Sequence, residues 1–296
     1  GMHALFDLPL GPILHVTAPH HYRKAAEGMT EREFSKSLAA ELEALIEREG
    51  ADTIAAFFAE PVMGAGGLIT TPEGYWEEIT PILKRHDILL VMDEVVSGFG
   101  RLGTYWGAQT YGLEPDLITA AKGVTGGYFP MSVCYISPKL WDVFEAQKDV
   151  AGLFGHGYTY SAHPVSAAVG LAVLDLYEGG LLENGRRMGA RLQAGLAGLA
   201  DHPLVGDVRG RGMLAAVELV TDKALKTPLP AAALPSQRIF DRAWENGLVI
   251  RAFGNGVLGY APPLCCTEAE IDAIVERTRM TLDQTLEDAD VRAALR

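Results

Sequence analysis

Apolar positions along this chain of 296 residues follow two rhythms, short unbroken runs and helical stripes. From Glu31 to Glu49, Phe34, Leu38, Leu42 and Leu45 fall on one helical face with charge on the other. Thr53 to Glu60 reads as a strand, followed by a glycine-rich turn at 64–67. Pro72 to Lys84 reads as a helix with proline in its first turn, where the missing N–H costs nothing. Two continuous apolar runs, Asp87 to Val96 and 116–121, read as strands buried on both faces, and Met131 to Ser137 as a further strand. This alternation predicts a doubly wound α/β sheet.

The pattern then changes. Pro164 to Leu199 is helical and alanine-rich, with a break at Glu178-Gly-Gly180. Beyond it, Leu214 to Val220 reads as a strand, Ser236 to Glu245 as a helix, Leu248 to Arg251 as a short strand and Glu268 to Leu286 as a terminal helix. Residues 1–35, with Pro9, Pro12 and Pro19, and the proline-rich stretch Thr227 to Pro235 read as surface segments. The expected organisation is a large domain over 1–165, a connecting long helix over 166–202 and a smaller α+β domain over 203–296. No internal repeat or low-complexity tract is present.

Two polar residues break this picture. Asp93 lies within the first apolar run, and Lys122 directly follows the second, before Gly123. Alone, an aspartate beside a glycine turn is a common cap, and a strand-end lysine is commonly solvated. Burying either charge costs several kcal/mol, on the order of 3–5, unless a partner is found. Together, in this order and beyond the carboxyl ends of two strands, they suit a ligand crevice. Pyridoxal phosphate calls for both groups, a lysine for its aldehyde and a carboxylate for its pyridine nitrogen.

The surrounding sequence resembles the class III (omega) aminotransferases of the fold-type I pyridoxal phosphate enzymes, nearest to amine:pyruvate aminotransferases. The resemblance is carried by Phe58-Ala-Glu-Pro-Val-Met-Gly-Ala-Gly-Gly67, Asp93-Glu-Val-Val-Ser-Gly-Phe-Gly-Arg101 and Ala120-Ala-Lys-Gly-Val-Thr-Gly-Gly-Tyr128. His156-Gly-Tyr-Thr-Tyr-Ser-Ala-His-Pro164, Gly206-Asp-Val-Arg-Gly-Arg-Gly-Met213 and Ile250-Arg-Ala-Phe-Gly-Asn255 continue it in the family's order. It implies a mostly parallel central sheet with flanking helices and a smaller C-terminal α+β domain. Against the family pattern the chain opens well inside the sequence, as though the N-terminal third were missing. That third would carry the phosphate loop and the aromatic residue that stacks on the cofactor ring.

The resemblance assigns roles. Lys122 is the lysine that captures the cofactor and then moves a proton, and a desolvated setting that keeps its amine neutral is expected. Asp93 holds the pyridine nitrogen protonated, Val95 packs on the ring face, and Glu60 supports Asp93 from behind. Thr159 reaches the cofactor phosphate of the neighbouring subunit, which implies a homodimer. Arg251 is the mobile arginine for a substrate carboxylate, and Arg101 is structural. Ornithine and 4-aminobutyrate branches carry glutamate where Ala65 stands and glutamine where Val96 stands; both departures favour the amine:pyruvate type. The implied reaction passes an amino group from an amine or omega-amino acid to a keto acid, with pyruvate expected. An aminomutase, racemase or decarboxylase would share these residues, and a shortened non-catalytic paralogue would retain the fold; the 296-residue chain alone is expected to be inactive.

The bulk composition adds limits. A net charge of −13 disfavours nucleic acid and anionic membranes as partners. Cys134, Cys265 and Cys266 form no metal or disulfide pattern, so no metal is expected and a reducing cytoplasm is. No apolar run reads as long enough to span a membrane.

Overall fold

The computed structural model describes residues 5–8, 10–152, 154–233, 236–254 and 256–295. Pro9, Pro235 and Asn255, named above, lie outside the described residues, as does the opening Gly1-Met2-His3. Contacts divide the chain into two compact units, Gly1–Ala55 with Thr71–Ile88, and Ala56–Thr70 with Leu89–Arg296.

The first unit holds α1 (His21–Lys24), α2 (Glu31–Glu49) and α3 (Tyr75–Arg85). A capping box starts α2: Thr30 Oγ1 accepts from the Glu33 N–H, and Glu33 Oε2 accepts from the Thr30 N–H. Its buried stripe is Phe34, Leu38, Ala39, Leu42 and Ile46; Leu45, expected on that face, is only half-buried. α3 supplies Tyr75, Trp76, Ile79, Ile82 and Leu83. It begins three residues later than the sequence suggests, because Pro72 accepts the Tyr75 N–H in a turn and Gly74 caps the helix at φ +81°. The unit closes with His86 Nε2 2.8 Å from Glu43 Oε1.

In the second unit, β1 (Ala56–Ala59) precedes the hairpin β2 (Val62–Met63) and β3 (Ile69–Thr70), whose connecting turn carries the Gly64–Gly67 glycines. Then come β4 (Leu89–Asp93), α4 (Gly107–Thr110), β5 (Leu117–Ala120) and β6 (Val133–Ile136). The central sheet runs β1-β4-β5-β6, parallel through the first three, with β6 antiparallel. The apolar run expected to be strand through Val96 stops at Asp93. There Asp93 Oδ1 accepts the Val95 N–H at 2.9 Å, closing a turn that takes Val95 and Val96 out of the ladder. The first strand is likewise shorter than expected, since Ala51–Thr53 is a 3₁₀ turn.

Helix α5 (Pro138–Ala151) was not anticipated and, among its described side chains, buries none. The expected long helix is α6 (Pro164–Leu176) and α7 (Leu182–Ala197), joined by a wound turn with Gly180 at φ +115°. By length and composition the stretch Pro164–Ala197 could cross a membrane, a correction to the sequence reading. Its second half places Met188, Leu192 and Leu196 in the core, as core helices do.

The second sheet contains β7 (Val205–Arg211), β8 (Leu214–Asp222), β9 (Thr227–Pro228), β10 (Arg251–Ala252) and β11 (Val257–Tyr260), with order β10-β11-β8-β7 and β9 on β8. Helices α8 (Ser236–Glu245), α9 (Glu268–Leu286) and α10 (Ala289–Ala294) complete the chain. Strand β8 is buried on both faces. Ala215, Val217 and Leu219 join the core with α7 and α9, whereas Leu214 and Ala216 pack with Val62, Leu68, Leu102 and Val257. Each large apolar side chain so buried contributes about 1.5–3 kcal/mol. The sequence missed β7, β9 and β11, and the strand expected at Leu248–Arg251 overlaps β10 only at Arg251.

Candidate active site

Three neighbouring strands end side by side. Ala59 pairs with Met92, so Glu60 emerges beside Asp93; Asp93 itself pairs with Thr119, three residues before Lys122. The parallel registers therefore bring Glu60, Asp93 and Lys122 to the carboxyl edge of one sheet, where α/β folds bind ligands. Glu60 senses both others. Burial raises its pKa, the Gly64 N–H (2.8 Å to Oε2) opposes this, the Asp93 charge raises it further and the Lys122 charge lowers it.

Lys122 stands at φ +45° in a 3₁₀ turn, Lys122–Val124, beyond the last β5 pair. Its side chain is exposed, not desolvated as expected, because pairing ends at Ala120 and the turn hangs past the sheet edge. Two contacts fix that turn. Tyr177, buried, donates its hydroxyl to the Gly123 carbonyl at 2.7 Å. Gly123 lies so close to Phe99 that a Cβ there would meet the Phe99 Cβ at 2.8 Å, so no larger residue fits after the lysine. Phe99 stacks on Tyr177 with ring centroids 5.9 Å apart, backing the lysine turn with aromatic rings. Burial raises the Tyr177 pKa, and the nearby Arg101 charge opposes it.

The sequence singles out Asp93 as the buried acid, but the structure leaves it half-buried and buries its neighbour completely. Glu94 is 0% exposed and accepts three donors: Ser97 Oγ at 2.7 Å, the Gly107 N–H at 2.8 Å and the Ala108 N–H at 2.6 Å. It thereby satisfies the first amides of α4 and closes the chain segment that follows Asp93. Nothing in the local sequence separates these two adjacent acids; only the return of residue 107 makes the difference. Arg101 is structural: it donates to the Pro262 carbonyl, and burial lowers its pKa.

The remaining candidates stand apart. Val95 is half-buried in the turn after β4. Thr159 sits in an exposed turn closed by the Ser161 N–H to Tyr158 O at 2.9 Å, and its side chain makes no hydrogen bond among the described residues. Arg251, exposed at the start of β10, lays its guanidinium 4.7 Å from the centre of the Phe253 ring. It borders a cavity of about 320 Å³ lined also by Ser236, Gln237, Phe240, Ile250 and Ala252. No hydrogen bond or ion pair among the described residues joins Thr159 or Arg251 to Glu60, Asp93 and Lys122. The sequence reading also missed Arg209, whose buried guanidinium binds Asp207, Glu218 and the Gly67 carbonyl.

The donor set suits pyridoxal phosphate: an accessible primary amine, a carboxylate on the adjacent parallel strand and a second acid behind it. The aminotransferase class-III family model matches residues 1–282. The chain is 47% identical over 287 residues to diaminobutyrate–2-oxoglutarate transaminase of Halomonas elongata, covering 95% of this chain and 61% of that protein. It is 41% identical over 285 residues to gamma aminobutyrate transaminase 3 of Solanum lycopersicum, covering 96% and 55%. Among solved structures, the omega transaminase of Pseudomonas jessenii in complex with PMP superimposes with a TM-score of 0.91 at 44% identity, covering 95% of this chain and 62% of the other. A transaminase with L-ala gives a TM-score of 0.92 at 42% identity, covering 99% and 68%. The chain thus spans between about half and two thirds of the length of these curated relatives, 61% of one and 55% of the other. A matching family model over nearly the whole sequence, on a mostly parallel sheet that gathers an acid and a lysine at its carboxyl edge, establishes that the chain belongs to the class-III aminotransferases, fold-type I pyridoxal phosphate enzymes.

Proposed function

We propose that this chain forms part of an aminotransferase that passes the amino group of an amine or omega-amino acid to a keto acid, with pyruvate as acceptor. The convergence of Glu60, Asp93 and Lys122 on one sheet edge carries this reading. The cofactor supplies the electron sink for breaking a bond at the donor carbon. Lys122, on its short turn, takes the proton from that carbon and returns it one position away. With the cofactor bound, Asp93 would hold the proton on the pyridine nitrogen, Glu60 would support Asp93 and Val95 would face the ring. Arg251 pairs with the keto-acid carboxylate through two parallel donors.

Ala65 and Val96, in place of the glutamate and glutamine of the ornithine and 4-aminobutyrate branches, support pyruvate, as does likeness to a transaminase whose structure contains L-ala. The relatives named for diaminobutyrate with 2-oxoglutarate and for gamma-aminobutyrate make 2-oxoglutarate the acceptor to test against. The proposal includes a homodimer in which Thr159 reaches the neighbouring subunit's cofactor; its exposure supports this. It also includes a large domain over 1–165, a connecting helix over 166–202 and a small domain over 203–296, supported by the separation of the two sheets along the chain. Three free cysteines support a cytoplasmic setting.

The test is a panel of amine donors with pyruvate or 2-oxoglutarate, read as alanine or glutamate formed. Alanine from pyruvate is expected. Glutamate alone would replace the acceptor, and amine conversion that needs no acceptor would replace transamination with mutase or racemase chemistry.

A further inference from the structure

Arg209 is an arginine in the core of the second unit, 9% exposed, and the chemistry above makes no use of it. Its Nη1 donates to Asp207 Oδ2 at 2.7 Å and to Glu218 Oε2 at 2.6 Å. The other side of the same planar group donates to the Gly67 carbonyl, from Nη2 at 2.7 Å and from Nε at 3.2 Å. A buried ion pair stabilises little over an apolar pair of the same shape, so stability alone does not account for this one. The geometry names another role. Asp207 and Glu218 face each other in register on β7 and β8 and hold the guanidinium from the sheet side, leaving its opposite edge for a single loop carbonyl.

That loop ends at the site. Gly67, at φ +113°, occupies backbone space that other residues avoid, and its carbonyl faces Arg209. Three residues back, the Gly64 N–H donates to Glu60 Oε2, and Glu60 lies beside Asp93 and Lys122. Leu68 N–H and Gly67 N–H both return to the Gly64 carbonyl, at 3.2 and 3.3 Å, so the turn moves as one piece. A Cβ at Gly64 would stand 3.2 Å from a Val96 methyl, so the turn also rests on the segment after Asp93.

We propose that Arg209 is a positioning residue for the active site: by clamping the Gly67 carbonyl it fixes the Gly64–Leu68 turn and, through the Gly64 N–H, the carboxylate of Glu60 against Asp93 and Lys122. This rests on the reading of those three residues as the reacting group. Lysine cannot replace the arginine here, because one ammonium cannot meet two carboxylates on one edge and a carbonyl on the other. The same clamp sets the position of Ala65, at the exposed tip of the turn.

The test compares three variants of the holoenzyme: Glu218→Gln as reference, Arg209→Met with Glu218→Gln, and Arg209→Lys. Neutralising Glu218 together with Arg209 avoids stranding that buried carboxylate, Asp207 keeps access to water, and a cooperative thermal transition confirms that each variant is folded before it is compared. Hydrogen exchange of a peptide spanning 62–70 should be about tenfold faster in the double variant and in Arg209→Lys than in the reference. With the Gly64 N–H no longer held against it, the Glu60 carboxylate loses a donor. The acid limb of the amine-oxidising half-reaction then moves up by about one pH unit. A merely structural role for Arg209 would lower thermal stability and leave that limb in place. Unchanged exchange and an unchanged limb in an active parent enzyme would overturn the clamp. A parent enzyme that turns over no amine would instead overturn the functional reading beneath it, so the two failures are told apart.

Discussion

Replacing Glu94 with glutamine keeps the shape of the side chain and changes one oxygen into an NH₂ group. In the native structure Oε2 accepts from Ser97 Oγ and the Gly107 N–H, and Oε1 accepts from the Ala108 N–H. If the new nitrogen falls on the Ala108 side, one charge-assisted bond is lost and a buried N–H loses its acceptor, a cost of about 3 kcal/mol. If it falls on the other side, Ser97 can turn its hydroxyl to accept, but the Gly107 N–H is left facing a donor. The site cannot relax outward, since Glu94 is fully buried and a Cβ at Gly107 would already stand 2.8 Å from Oε2. For a chain of this size, with an unfolding entropy of about 2.1 cal/mol/K per residue, about 3 kcal/mol corresponds to a fall in Tm of roughly 5 °C. Calorimetry on Glu94→Gln with and without cofactor measures it, and the fall should appear in both states because the lesion is in the scaffold. A Tm within about 2 °C of the native value would refute the claim that this carboxylate holds the segment after Asp93.

Arg251→Met should raise the KM for pyruvate about 10- to 100-fold, the worth of a paired hydrogen bond between charges, and alter kcat with an uncharged amine donor far less. Steady-state kinetics with donor and acceptor varied separately checks the split; equal effects on both would argue against a carboxylate clamp. His202 is buried, its Nδ1 accepting the Leu204 N–H at 3.2 Å and its Nε2 3.3 Å from Asp283 Oδ1. Burial lowers its pKa below 6.5, with the Asp283 charge opposing. The unfolded chain therefore binds a proton more readily there, so this stability is fully present above about pH 6.5 and is lost as pH falls through the depressed folded value. His202→Gln should flatten that part of the Tm-against-pH curve, and a curve parallel to the native one would rule the histidine out.

Legibility in the sequence followed the range over which each feature is determined. Helix α9, expected as the terminal helix, is placed to the residue because its cap is local: Thr267 and Glu270 close a capping box within four positions; the short α10 that follows it is missed. Strand β4 came out too long because Val95 and Val96 are apolar, and it takes the Asp93 side chain, turned back on its own backbone, to end the ladder. Strand β7 stayed hidden because Gly206, Asp207, Arg209, Gly210 and Arg211 carry no alternating pattern; its place comes from pairing with β8. In the site, Asp93 and Lys122 were visible as polar residues ending apolar runs. Glu94 was not distinguishable from Asp93, because two of its three donors, the backbone N–H groups, return from 13 and 14 residues away. The Arg209 clamp spans 142 residues and leaves no local trace.

The central claim is that Lys122 captures pyridoxal phosphate. The direct measurement is peptide mass mapping of the full-length protein after incubation with the cofactor and borohydride reduction. The account predicts a pyridoxyl mass increment on the peptide carrying Lys122, abolished in Lys122→Arg. A full-length protein in which Lys122 stays unmodified, or in which the label settles on another lysine, would contradict it.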